Sequence, residues 1–334
     1  MRHTKSLVAA LAAGALLSGT AVSAQQFTMK LSSPTINDSN HEWMKLFKAG
    51  VEERSKGKIK VEMYPANQLG QIPATVDGVA LGTIEMTIPA IGFFIGIEPR
   101  FQTLETAGLF DSMAHGQKVF NDPDIRARMA TFGEAKGVEP LFTMLHGELY
   151  IGAHKPIRSI DDFKGMKLRS AGAAPLHVEP FKQLGASPIS MPLGEVVPAL
   201  QNKAIDGAMA TYPVFVAFKY YDVIKYANRL PANYTVVSAL VNRRFMKSLG
   251  PELEGIVREE ARKHESLFST YALTDHDRVR DLWQKNGGET INLSAGDAKK
   301  YQDVVEGVIS KVVAANPKMK EDYEALLAAA KKYR

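Results

Sequence analysis

The chain has 334 residues, no cysteine, and 41 Lys and Arg against 36 Asp and Glu, for a formal net charge of +5. The missing thiols exclude disulfides, thiolate catalysis and a cysteine-linked lipid anchor, and the mild, evenly spread charge argues against nucleic acid as a partner. A mature chain of about 300 residues buries enough core to do without covalent staples.

Residues 1–24 combine a short basic start (Arg2, Lys5), an apolar stretch from Leu7 to Leu17, and small residues Val22 and Ala24 ahead of Gln25. That pattern is a secretory signal peptide, with an apolar core too short for a membrane span. It predicts a mature protein working in the periplasm, not itself embedded in a membrane.

FTMKLSS then reads as a strand, and Asp38 or Ser39 caps an amphipathic helix that ends near Gly57. KIKVEMYP alternates as a second strand, and TVDGVALGTIEMTIPA predicts a helix followed by a short strand. From Pro140 the cycle restarts through PLFTMLHGELYIGAH, KGMKLRS, HVEPFKQLG, ASPISMP, GEVVPALQNKA and IDGAMATYP. Repeated β-α-β order predicts an α/β fold of two lobes. Residues 251–287, with no proline after Pro251, read either as one long brace across both lobes or as two helices broken near Thr270 or Asp275.

No GxSxG, HExxH, Walker loop or paired-cysteine metal site occurs, and the eight histidines show no ligand-spaced pair. One residue asks for a partner. In GMKLRSAG, Arg169 sits at the end of a predicted strand, and a guanidinium is costly to desolvate unless something anionic meets it. The partner is either a protein carboxylate or a ligand. Arg158, in HKPIRSIDDF, has Asp161 and Asp162 nearby and reads as structural.

Several stretches taken together resemble the periplasmic solute-binding proteins of tripartite ATP-independent periplasmic (TRAP) transporters, the DctP-like family. They are VEERSKGKIKVEMYPANQLG, DGVALGTIEM, KPIRSIDDFKGMKLRS, LGASPISMPLGEVVPALQNKAIDG and KYYDVIKY, in the family's order over almost the whole mature chain. The resemblance implies two α/β lobes, hinge strands and a long bracing helix, with a small organic acid held in the cleft and handed to membrane subunits. On that reading lobe one is 25–148 with about 232–272, and lobe two is 149–231 with about 273–334. The resemblance also implies that Arg169 meets the ligand carboxylate.

Where the family often has a second pocket arginine this chain has Leu149, where it has Gln-Glu-Asn-Pro this chain has Ala208 to Thr211, and a common pocket aromatic is Leu193. These departures favour one carboxylate on an apolar body, leaning to an aromatic or branched 2-oxo monocarboxylate, with a C4-dicarboxylate as the alternative. Ile91, Phe93, Phe94, Met191, Met209 and Tyr212 are expected to supply apolar surface, and Ser33, Gln71 and Thr211 to finish the polar recognition. No cofactor and no metal are expected, although some relatives take sodium with their substrate.

Two rivals remain. A periplasmic enzyme acting on a carboxylic acid would use His146 or Glu148 as base, and the sequence shows no nucleophile or metal beside either. A binding module serving a sensor or another transporter would share every feature above.

Overall fold

The computed structural model describes residues 26–334, apart from the side chains of 266–273. The signal peptide expected at 1–24 lies outside the described residues. Among these residues nine strands form one sheet: β1 (Phe27–Ser32), β2 (Ile59–Tyr64), β3 (Met86–Thr87), β4 (Val138–Ala153), β5 (Lys167–Ser170), β6 (Ser187–Ser190), β7 (Gly207–Ala210), β8 (Tyr226–Asn242) and β9 (Glu289–Asn292). Their order is β2-β1-β3-β8-β4-β7-β5-β6, with β9 paired to β8.

The two halves of this sheet are β-α-β units. β1 and β2 pair in parallel and are joined by the helix Ser39–Arg54, whose N-cap Asp38 accepts the His41 amide. In the other half, β5 pairs in parallel with both β6 and β7, joined by the helices Pro175–Gln183 and Leu193–Gln201. The long antiparallel strands β4 and β8 run through both halves, with irregularities between Pro140 and Thr143, Leu145 and Gly147, and Glu148 and Tyr150. Such bulges bend a strand pair where a continuous ladder would stay straight.

One apolar core gathers Met29, Trp43, Phe47, Phe94, Phe101 and Val236, while a second gathers Ile151, Phe163, Leu168, Phe181, Met209 and Tyr301. The first core also takes in Val196, Leu200, Ala208 and Phe215 of the second half, so it continues across both halves, while the second core lies under β5 and the helix Ala295–Ala314.

The expected brace is two helices, Gly250–Lys263 and Glu265–Lys285, and the break falls at His264, before either anticipated position. His264 bonds back to buried Glu260, which also pairs with Arg54, and Glu265 pairs with Arg126. The break thus lets two buried acids reach arginines on different helices. The C-terminal helix Pro317–Tyr333 also departs from the expected allotment of 273–334 to lobe two. It packs on first-half elements, with Asp322 between Arg100 and Arg128, the Ala330 carbonyl 2.9 Å from His115 Nε2, and Lys332 and Tyr333 on Asp122.

Candidate functional site

A small cavity of about 40 Å³ lies where the two halves face each other. Its walls are mainly apolar, from Pro34, Ile72, Ala90, Phe93, Leu193, Met209, Ala210, Val214 and Val237. Arg169, Thr35, Asn40, His146, Thr211 and Thr235 supply its polar groups.

Arg169 reaches the cavity because β5 is a central strand and residue 169 pairs in register with Ile189 on β6 and Ala208 on β7. The side chain is only 1% exposed. Nε donates to the Met191 carbonyl and Nη1 to the Met209 carbonyl, both at 2.8 Å. Neither acceptor carries a charge, and among the described residues no carboxylate lies within ion-pair distance of the guanidinium. Burial pulls its pKa below the usual arginine value, partly offset by Tyr220, whose own buried hydroxyl has no hydrogen-bond partner among the described residues. Two edges of the fork are thus fixed by backbone and the third faces a space that an anion would suit.

Across the cavity runs a polar chain. His146, on β4, bonds through Nε2 to Asp38 Oδ2 at 3.2 Å and through Nδ1 to Thr211 Oγ1 at 3.1 Å. All three side chains are buried. Burial alone would raise the Asp38 pKa, but hydrogen bonds from His146, the Thr35 hydroxyl and the His41 amide hold it below the usual carboxylate range.

Four of the nine residues expected at the site line this cavity: Arg169, Phe93, Met209 and Thr211. The other five lie outside the wall. Phe94, next to Phe93 on the 3-10 turn Ile91–Phe94, points the other way and packs edge-on to Phe101 at 4.9 Å in the first core. Tyr212 follows Thr211 into a helix start, so its ring turns back onto Tyr150 (4.3 Å between centroids) and its hydroxyl meets Thr290 at 2.5 Å. Met191 contributes its carbonyl to Arg169, not its thioether to the wall. Ser33 lies behind Thr35, with Oγ 3.3 Å from Thr35 Oγ1.

Gln71 caps the cleft from outside. A Cβ on Gly194 would stand 2.4 Å from its amide nitrogen, so the two halves touch there, and its Oε1 is buried without a partner among the described residues. Ile91 belongs to the first core and Leu149 to the second, while Leu193 does line the wall. Arg158 is exposed and away from the cavity, its amide donating to Asp162. Glu148 is tied to Arg229 and Tyr150 and is absent from the cavity wall.

Sequence reasoning missed Thr35 and Asn40 and read Asp38 only as a helix cap. It weighed His146 only as an enzyme's base, although a histidine inside the apolar strand PLFTMLHGELYIG was the available signal. Among the described residues there is no group of three or more acids and histidines able to hold a metal ion.

A cavity between two α/β halves joined by long crossing strands, with one uncompensated buried arginine, has the form of a solute-binding protein. The chain belongs to the family "Bacterial extracellular solute-binding protein, family 7", DctP, whose model matches residues 32–316, and whose members include the periplasmic receptors of TRAP transporters. Curated relatives include the 2,3-diketo-L-gulonate-binding periplasmic protein YiaO of Escherichia coli K12, 27% identical over 80% of this chain and 81% of the relative. Another is the C4-dicarboxylate-binding periplasmic protein DctP of Rhodobacter capsulatus, 26% identical over 88% of this chain and 91% of the relative. Among solved structures, a TRAP solute-binding protein of Haemophilus influenzae with bound L-gulonate superposes with a TM-score of 0.85 at 25% identity, covering 91% of this chain and 99% of that one. The family is one of transport receptors for small organic acids, and no helix among the described residues is long and apolar enough to cross a membrane.

Proposed function

We propose that this protein is a periplasmic receptor, without enzymatic activity, that binds one small organic acid carrying a single carboxylate on an apolar, aromatic or branched body, and delivers it to the membrane subunits of a TRAP transporter. The observation that carries this reading is Arg169: buried, held by two neutral carbonyls, unmatched by a protein anion, and facing walls that are mostly hydrocarbon. A carboxylate placed there would gain a charge-assisted hydrogen bond, strengthened where lobe closure expels water. Phe93, Leu193, Val214 and Val237 suit the body of such an acid. A C4-dicarboxylate would need a second cation, and the other basic side chain in the wall, His146, is already bonded to Asp38.

Lobe closure supplies the mechanism. Lobe one is taken as 25–148 with about 232–272 and the helix Pro317–Tyr333, and lobe two as 149–231 with the residues from about 273 up to that helix. Closure brings Gly92 onto Ala171 and Gly172, where an added Cβ would stand 2.1 Å and 2.0 Å from the facing backbone oxygen. A ligand drives closure through contacts made only in that state, which here means Arg169 from one lobe and Phe93 from the other.

Structure adds one point for the enzymatic rival, since Thr211 places a hydroxyl beside His146. A receptor returns its bound acid unchanged, whereas an acyl-transfer enzyme would convert an ester analogue. The deciding experiment is a thermal-shift screen of the protein starting at Gln25 against aromatic and branched monocarboxylates, C4-dicarboxylates and sugar acids. A ligand at about 100 times its Kd stabilises the fold by ~2.7 kcal/mol. Melting-point rises confined to monocarboxylates support the reading. Rises only with dicarboxylates would refute the single-carboxylate pocket, and rises only with sugar acids would refute the apolar body.

A further inference from the structure

The hydrogen bonds around Asp38 have a direction, and it decides what the cavity offers a ligand. Asp38 is the one anion of this network and accepts from the His41 amide at 3.1 Å and from His146 Nε2 at 3.2 Å. His146 Nε2 faces the Asp38 carboxylate and carries the ring proton there, which leaves Nδ1 to accept. The contact at Nδ1 is Thr211 Oγ1, so the Thr211 hydroxyl spends its single proton there and turns its lone pairs to the cavity.

The other branch ends the same way. Asn40 Nδ2 donates to Thr35 Oγ1 at 3.4 Å. The Asn40 carbonyl oxygen is then left over. It is buried, without a hydrogen-bond partner among the described residues, and its side chain lines the cavity. Two acceptors therefore line the cavity that also receives the Arg169 guanidinium. Buried acceptors are costly to leave unmatched.

We infer that Thr211 Oγ1, linked through His146 to Asp38, and the unpartnered Asn40 Oδ1 select an acid that bears a hydrogen-bond donor near its carboxylate, so that the ligand is a hydroxy acid and not the corresponding oxo acid. This rests on the receptor reading above and replaces the keto group that the sequence favoured. A keto oxygen would face two lone-pair surfaces, whereas a hydroxyl donates to one of them. The opposite polarity requires an imidazolium that donates from Nδ1 to Thr211, freeing the threonine proton for a keto oxygen. The two arrangements predict opposite selectivities.

The experiment is calorimetric titration of the mature protein at pH 7 with matched pairs: 3-phenyllactate and phenylpyruvate, 2-hydroxyisocaproate and 2-oxoisocaproate, 2-hydroxyglutarate and 2-oxoglutarate. In any pair that binds, the hydroxy acid should bind about tenfold tighter or more, since one buried hydrogen bond is at stake. Thr211→Val should abolish that ratio by weakening the hydroxy acid while sparing the oxo acid, and Thr211→Ser should preserve it. Equal or tighter binding of the oxo acid to the unmodified protein overturns this inference and leaves the receptor reading intact. Binding of none of the six acids overturns both.

Discussion

Replacing Arg169 with methionine keeps the stem's bulk and removes the guanidinium. In the unmodified protein Nε and Nη1 are fixed at 2.8 Å on the Met191 and Met209 carbonyls, which leaves Nη2 as the edge for a ligand. A carboxylate bound in Arg169→Met would be enclosed by hydrocarbon with no cation. The lost charged hydrogen bond is worth ~2 kcal/mol or more, which corresponds to about a 30-fold rise in Kd. The assay is calorimetric titration with the best acid from the thermal-shift screen, alongside circular dichroism of the ligand-free variant to confirm the fold. Arg169→Lys keeps the charge but cannot hold two carbonyls and a carboxylate with one ammonium in the same planar arrangement, so its affinity should fall between the two. A Kd for Arg169→Met equal to that of the unmodified protein, with the fold intact, would refute the argument and remove Arg169 from the site.

Three further outcomes follow from particular contacts. Gly92→Ala should weaken ligand binding severely while leaving the melting temperature of the ligand-free protein unchanged, because the Cβ meets the Ala171 oxygen at 2.1 Å only when the cleft is shut; unaltered affinity would show that closure does not bring these backbones together. Glu105 and His177, 3.3 Å apart, are both driven by burial toward their neutral forms, the carboxyl pushed up from the usual 4.5 to about 8 and the imidazole down from 6.5 to about 4. Glu105 therefore withdraws stability as pH rises from 4.5 through 8, and His177 withdraws it as pH falls from 6.5 through 4, so the two slopes cancel between 4.5 and 6.5. From pH 6.5 to 8 the carboxyl acts alone, at up to ~1.4 kcal/mol per pH unit. The melting temperature should fall over that interval and the fall should vanish in Glu105→Gln; a fall of the same size in both proteins would discard the assignment. Leu326→Ala, at a 1% exposed position where the C-terminal helix meets the first half, should cost ~2–5 kcal/mol in denaturant unfolding, and a negligible loss would mean that this helix is loosely docked.

Periodicity and caps made the local elements legible. The Asp38 cap, the strand KIKVEMYP and the β-α-β cycles on either side of Pro140 are short-range patterns, and the structure places a helix or strand at each. Arg169 was legible for a different reason: an arginine inside an otherwise buried strand has few ways to be satisfied, so its chemistry is visible without knowing its neighbours. The break at His264 was not, because it depends on Arg54 and Arg126, more than a hundred residues away.

The sequence by itself determined an α/β chain with repeated β-α-β order, an unmatched arginine and apolar neighbours in place of polar ones. Only tertiary structure decided which of those neighbours face the cavity. Phe93 and Phe94, or Thr211 and Tyr212, are adjacent in the chain, yet the backbone turn sends one of each pair to the wall and the other to the core. It also joined Asp38, His146 and Thr211 from three distant segments into one polarised chain. The direction of a hydrogen bond belongs to the pair of groups that make it, and these pairs exist only once the chain has folded.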